Sequence, residues 1–85
     1  MRLDKFLKVS RLIKRRTLAK EVADQGRIQV NGSVAKASTD VVVGDQLVIR
    51  FGQKFVTIEV LQVKEAVRKE EAQDLYKVLK EEEVQ

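Results

Sequence analysis

At Gly26 the hydrophobic period of the chain changes from about 3.6 residues to 2, which separates a helical beginning from an extended middle. Before the switch, Leu3, Phe6 and Leu7 recur at i, i+3 and i+4, the one-sided apolar stripe of a short helix ending near Val9-Ser10. Ala19, Val22 and Ala23 repeat that spacing in a second helix from about Lys14 to Asp24, with Gly26 placed for a left-handed C-terminal cap. Leu12 and Ile13 fall in the connection, where they plug the gap between the helices. After the switch, Ile28 and Val30 alternate with Arg27 and Gln29 and run into Asn31-Gly32. That dipeptide accepts positive φ at both centres of a tight hairpin turn, so Val34 opens a return strand.

The extended pattern persists for another thirty or so residues. Ala37-Ser38-Thr39-Asp40 reads as a loop, and Val41-Val42-Val43 leads into a turn at Gly44-Asp45. Leu47–Phe51 is a strand, Gly52-Gln53-Lys54 a tight connection, and Phe55–Leu61 its hairpin partner with both faces partly apolar. Ala72, Leu75, Tyr76 and Leu79 then return to helical spacing, which predicts a final helix from about Lys69 to Glu83 lying on the sheet. The expected class is α+β: two N-terminal helices packed on a small, mostly antiparallel sheet, plus a C-terminal helix. Eighty-five residues suffice for one domain, and 44% hydrophobic content gives it a core rather than disorder.

Elimination narrows the chemistry. With no cysteine and no histidine, disulfides, thiolate metal sites and the commonest metal ligand and general base are excluded. No metal or cofactor is expected. An enzyme would have to work with carboxylates, a lysine or a Ser/Thr nucleophile. Glu70, Glu71 and Asp74 fit a solvated helix face, Asp40 and Asp45 fit turns for backbone reasons, and the four glycines mark separate turns rather than a phosphate loop. No active site is visible, and no small-molecule substrate is implied. The charged N-terminus lacks the apolar run of a signal peptide, and no window approaches the ~20 apolar residues that span a bilayer. A cytoplasmic protein that does not engage membranes is expected, complete from its initiator Met and acting as a monomer.

Charge is the informative feature. Residues 1–36 carry ten Lys/Arg against three acids, whereas residues 64–85 carry five against seven. Arg2, Lys5, Lys8, Arg11, Lys14, Arg15, Arg16 and Lys20 place eight cations within nineteen positions, interrupted only by Asp4. On an ordinary surface such charges are a solvated face alternating with acids. Here neutralisation is nearly absent, and arginine, which binds phosphate bidentately, supplies half of the cluster. Like charges gathered at a two-helix corner repel, and a polyanion offsets that cost. Five or so phosphate contacts would give a salt slope of about −4.

A helix–turn–helix DNA regulator also pairs a basic helix with another, but its reading helix should display an array of base-reading side chains. The second helix offers Lys20, Glu21, Asp24 and Gln25, with no such array. Charges concentrated at the elbow suit backbone and shape recognition of folded RNA. Phe6 fits the core, and Phe51, Phe55 and Tyr76 lie far along the chain, so no stacking platform for single-stranded bases is expected.

Arg2-Leu3-Asp4, Leu7, Arg16, Ala19, Val22, Gly26, Ile28, Val30-Asn31-Gly32 and Val43-Gly44-Asp45 together carry a resemblance. Over about residues 2–50 the chain resembles the alpha-L RNA-binding motif shared by a small-subunit ribosomal protein, many pseudouridine synthases and one class of tRNA synthetase. A departure lies at Lys14-Arg15, where many members begin the second helix with a Ser or Thr cap. Arg2 through Gly26, the segment Arg50-Phe51-Gly52-Gln53-Lys54 and the ending Leu79-Lys80-Glu81-Glu82-Glu83 are similar to the RqcP family of bacterial ribosome-associated quality control. A heat-shock protein family that binds obstructed large subunits is a close cousin.

That resemblance implies an RNA-binding domain over residues 1–62, followed by an amphipathic helix and acidic tail over 63–85. It implies binding to split large ribosomal subunits carrying peptidyl-tRNA, with assistance to RqcH in adding alanine tails to stalled chains. It places Arg2, Asp4 and Arg16 near large-subunit rRNA and the P-site tRNA. With the basic cluster, the expected RNA-binding set is Arg2, Asp4, Lys5, Lys8, Arg11, Lys14, Arg15, Arg16 and Lys20, with Asp4 orienting Arg2 or a neighbouring base.

Overall fold

The computed structural model describes residues 1–83. Helices α1 (Leu3–Val9) and α2 (Arg16–Asp24) lead into strands β1 (Ile28–Val30) and β2 (Ser33–Val34). Strands β3 (Gln46–Phe51) and β4 (Lys54–Val60) follow, then a 3-10 segment (Lys69–Leu75) and β5 (Tyr76–Glu83). The five strands form one sheet in the order β2-β1-β3-β4-β5, with every neighbouring pair antiparallel.

The two helices lie against the sheet because each has one apolar stripe to bury. Leu3, Phe6 and Leu7 of α1 and Ala19, Val22 and Ala23 of α2 pack with Ile28, Leu47, Ile49, Val56, Ile58 and Val60. Leu3, Phe6, Leu7, Ile28, Leu47, Ile49, Ile58 and Val60 are all fully buried, so this two-layer contact is the core. Ile13 is buried and Leu12 half-buried between the helices, as their place in the connection implied.

Local chemistry sets the corners. Asn31 and Gly32 both take positive φ (51° and 86°), joining β1 to β2 in the two-residue turn that their sequence predicts. Gly26 (φ 76°) closes α2: its amide donates to the Ala23 carbonyl at 3.0 Å and the Arg27 amide to the Val22 carbonyl at 3.3 Å. Helix α2 begins at Arg16 rather than at about Lys14, and its N-cap Arg15 makes no side-chain cap hydrogen bond, consistent with the missing Ser or Thr.

The C-terminal helix expected over Lys69–Glu83 forms only over Lys69–Leu75, and there as a 3-10 helix. The chain makes a short 3-10 segment that buries Ala72 and Leu75, then extends into β5, which pairs with the whole of β4 around a register shift at Thr57/Ile58. Without β5, strand β4 would leave a row of backbone donors and acceptors at an open edge. That tertiary ladder outweighs the helical propensity of the Lys/Glu-rich segment, and the Tyr76 and Val78 side chains suit a strand. The Leu61 and Gln62 amides both donate to the Leu75 carbonyl, at 2.8 and 3.2 Å, which fixes the crossover into β5.

Candidate nucleic-acid interface

The N-terminus of α1 is tied to the loop that precedes β3. The Leu3 amide donates to the Thr39 carbonyl at 2.8 Å and the Asp4 amide to the Ala37 carbonyl at 3.1 Å, satisfying two of the donors that a helix start leaves open. The terminal ammonium of Met1 reaches the Asp40 carboxylate at 2.6 Å. Asp45 acts as the turn residue that its position suggested, accepting from the Val42 amide and the Asn31 side chain at 3.0 Å each.

This anchoring buries Asp4, whose side chain is only 3% exposed. The carboxylate accepts the Lys5 amide at 2.8 Å, Arg2 Nε at 3.2 Å and Arg2 Nη2 at 3.4 Å, and Arg16 Nε at 3.4 Å. One carboxylate at the start of α1 therefore joins that helix to the first residue of α2. Burial pushes the Asp4 carboxyl up, but the Arg2 hydrogen bond, the Arg16 charge and the Lys5 amide outweigh it and hold the group below its usual value. The two guanidinium groups stay half exposed, at 50% and 48%, with donors left over. They are held in place without being used up.

The remaining cations group around the elbow. Lys8, Arg11 and Lys14 line a depression of about 150 Å3 shared with Val9 and residues 65–67. Lys14 and Arg15 line another, of about 530 Å3, on the other side of the connection. Arg11 sits in the left-handed region (φ 61°), which an L side chain adopts at a cost of about 1–2 kcal/mol. Its amide donates to the Lys8 carbonyl at 3.0 Å and the Ile13 amide to Leu7 at 3.1 Å, so Arg11 turns the chain out of α1. Among the described residues, Lys8, Arg11, Lys14 and Arg15 form no ion pair.

Two of the sequence candidates stand apart. Lys5 is paired with Glu65 across the fold. Lys20 lies on the exposed side of α2 beside Thr17, Glu21, Asp24 and Gln25, away from the elbow. The fold also recruits residues that sequence distance concealed. Arg27, Arg50 and Phe51 border the larger depression beside Lys14 and Arg15, so an aromatic ring does adjoin the basic elbow, contrary to the expectation from its place in the chain. The available signal was Arg27 itself, a cation directly after the Gly26 cap.

The S4 domain model matches residues 1–47, which covers both helices, the β1–β2 hairpin and the start of β3. The RQC P-site tRNA stabilizing factor of Halalkalibacterium halodurans is 77% identical over 96% of this chain and 93% of its own length. The Bacillus subtilis protein of the same name is 70% identical over 96% of this chain and 95% of its own length. The chain belongs to this family of S4-domain proteins. Among solved structures, the Heat Shock Protein 15 of Vibrio cholerae, described as trimeric, superimposes with a TM-score of 0.87 at 36% identity, covering 93% of this chain and 81% of that one. The α+β architecture, the S4-type helix pair and the kinship with heat-shock proteins of that type are thereby established.

Proposed function

We propose that the chain is a non-catalytic RNA-binding factor of bacterial ribosome-associated quality control, working in the cytoplasm. In this reading it binds rRNA and the P-site peptidyl-tRNA on obstructed large subunits, and it supports RqcH during alanine tailing of stalled chains. The observation that carries the reading is the pair Arg2 and Arg16, held half-exposed on the buried Asp4 carboxylate, with Lys8, Arg11, Lys14 and Arg15 forming no ion pair among the described residues. Preorganised guanidinium groups lose little freedom when they meet phosphate, and each phosphate neutralised releases counterions. The names of the relatives from H. halodurans and B. subtilis support the tRNA part of the reading.

Sedimentation tests it. Arg2→Ala and Arg16→Ala should each leave the circular dichroism spectrum unchanged and abolish comigration with large subunits carrying peptidyl-tRNA. Comigration retained in both variants would remove these residues from the interface.

A second reading, a ribosome-recycling role of the heat-shock type, draws on the structural likeness to Heat Shock Protein 15. Reconstituted alanine tailing separates the two: loss of tails on omitting the chain favours the first, and unchanged tails favour the second. A DNA regulator finds less support, because α2 exposes Leu18, Glu21 and Asp24 among Arg16, Thr17 and Lys20, and two carboxylates on that face oppose entry into a groove lined by phosphates.

A further inference from the structure

The 530 Å3 depression beside the elbow falls within the size range of ligand pockets, about 300–1,000 Å3, and its lining has an unusual composition. Its apolar part comes from Leu12, Ile13, Leu18, Val22 and Phe51, and its charged part from Lys14, Arg15, Arg27 and Arg50, with no carboxylate. Leu18 stands 48% exposed at this place, although it lies on α2 with room to be polar. Every charged neighbour of Leu18 in the lining is positive.

The cations are available. Lys14, Arg15 and Arg27 form no ion pair among the described residues. Arg27 gives one donor, Nη2, to the Arg50 carbonyl at 2.9 Å, which fixes its stem and leaves the other guanidinium donors open. Arg50 is committed elsewhere, with Nε donating to the Gly52 carbonyl at 3.2 Å and its guanidinium 5.7 Å from the Phe55 ring centre. Three open cations thus surround an apolar floor that includes one aromatic side chain.

We infer that this depression receives one unstacked nucleotide of the bound RNA, its base on Leu12, Leu18 and Phe51 and its phosphate on Lys14, Arg15 and Arg27. The chemistry is that of a flat apolar body carrying a negative charge at its edge. A duplex phosphate alone needs no apolar floor, and an apolar peptide alone needs no cationic rim. Unpaired bases are the part of RNA that can leave the stack and lie on side chains. Lys14 and Arg15 belong to both this site and the proposed elbow interface, so a strand lying on the elbow passes directly over the depression. The inference extends the RNA-binding reading and rests on it for the partner.

A benzophenone side chain introduced at position 18 of the full-length chain tests the occupant. Irradiated on large subunits carrying peptidyl-tRNA, it should join to RNA, with reverse transcription stopping at an unpaired nucleotide. Crosslinking to a ribosomal protein or to a second copy of the chain overturns the inference, as does comigration with no adduct. Should the unsubstituted chain fail to comigrate at all, the ribosomal reading falls, and adduct formation with a mixed-sequence single-stranded RNA still decides the pocket. Two substitutions give an independent measure. Leu18→Glu should weaken binding about tenfold without lowering Tm, and Arg27→Gln should reduce the salt slope by about 0.7–0.9, the share of one phosphate. Changes below twofold in affinity and below 0.3 in slope, with the fold intact, would refute the site.

Discussion

The elbow and the β4–β5 pair with its crossover are both crowded with charge, and they handle it in opposite ways. In β4, β5 and the crossover between them, bases meet acids: Lys54 lies 3.3 Å from Glu81, Arg68 3.9 Å from Glu71, and Lys80 pairs with Glu82. At the elbow, the buried Asp4 carboxylate is shared by two arginines, Glu65 is taken by Lys5, and Lys8, Arg11, Lys14 and Arg15 form no ion pair among the described residues. Mutual pairing makes a soluble edge for β5, which would otherwise offer an eight-residue strand to other chains. Unpaired charge destabilises the fold that carries it, and so it points to a partner outside the chain. The difference supports the proposal that the β4–β5 pair is scaffold and the elbow the binding surface.

The sharpest break would come from the scaffold side. Leu75→Ala, which empties a buried position at the crossover into β5, should cost about 2–5 kcal/mol in urea denaturation. Affinity for large subunits, measured where the variant is still folded, should change less than about threefold. A loss of binding as large as that of the elbow variants would dissolve the division. Reversing the elbow charges with Lys14→Glu and Arg15→Glu together should have the reverse signature. Subunit binding should fall about a hundredfold, roughly 2.8 kcal/mol at 1.4 kcal/mol per tenfold, while thermal stability holds or rises.

Asp4→Asn should act on both properties, because Asp4 is buried and anchors two arginines of the proposed interface. Stability should drop by about 1–2 kcal/mol, the half-exposed arginines being partly screened, and binding should weaken as Arg2 and Arg16 lose their anchor. The Asp4 carboxyl is more acidic in the folded chain than in the unfolded one. Its contribution is therefore complete above an unfolded pKa of about 3.9 and is lost as pH falls through the lower folded value. Acid titration of stability in the wild type and in Asp4→Asn should converge below that range, and parallel curves would contradict the linkage.

Smaller effects refine the picture. Arg11→Gly relieves the left-handed backbone and should raise stability by about 0.5–1 kcal/mol while lowering affinity severalfold. A gain in stability with unchanged affinity would mean that the strained arginine is not retained for binding. Lys54→Ala removes an exposed cross-strand pair and should move stability by no more than about 0.5 kcal/mol, with affinity unchanged in the same sedimentation assay.

Much of the molecule was legible before any coordinates. The helical stripes of Leu3, Phe6 and Leu7 and of Ala19, Val22 and Ala23 are buried as their spacing requires, and Asn31-Gly32 turns where two positive φ values are needed. The C-terminal segment misled because Ala72, Leu75, Tyr76 and Leu79 are compatible with a helix, and nothing within the segment records that β4 lacks a partner. At the interface, the basic residues were readable one by one, whereas their separation into unpaired elbow cations, the Glu65-paired Lys5 and the outlying Lys20 was not.

The sequence by itself determined the local structures as far as β4, since periodicity, turn dipeptides and caps act over a few residues, and it determined the sign of the charge; the strand β5 it left to the tertiary fold. Tertiary structure decided which charges remain available. Asp4 lies twelve positions from Arg16 in the chain and 3.4 Å from its Nε in the fold. Phe51 and Arg27 reach the elbow only because the sheet packs beneath the helices. Pairing and burial depend on distances through space, and a contact between residues far apart in sequence leaves no mark on the residues between them.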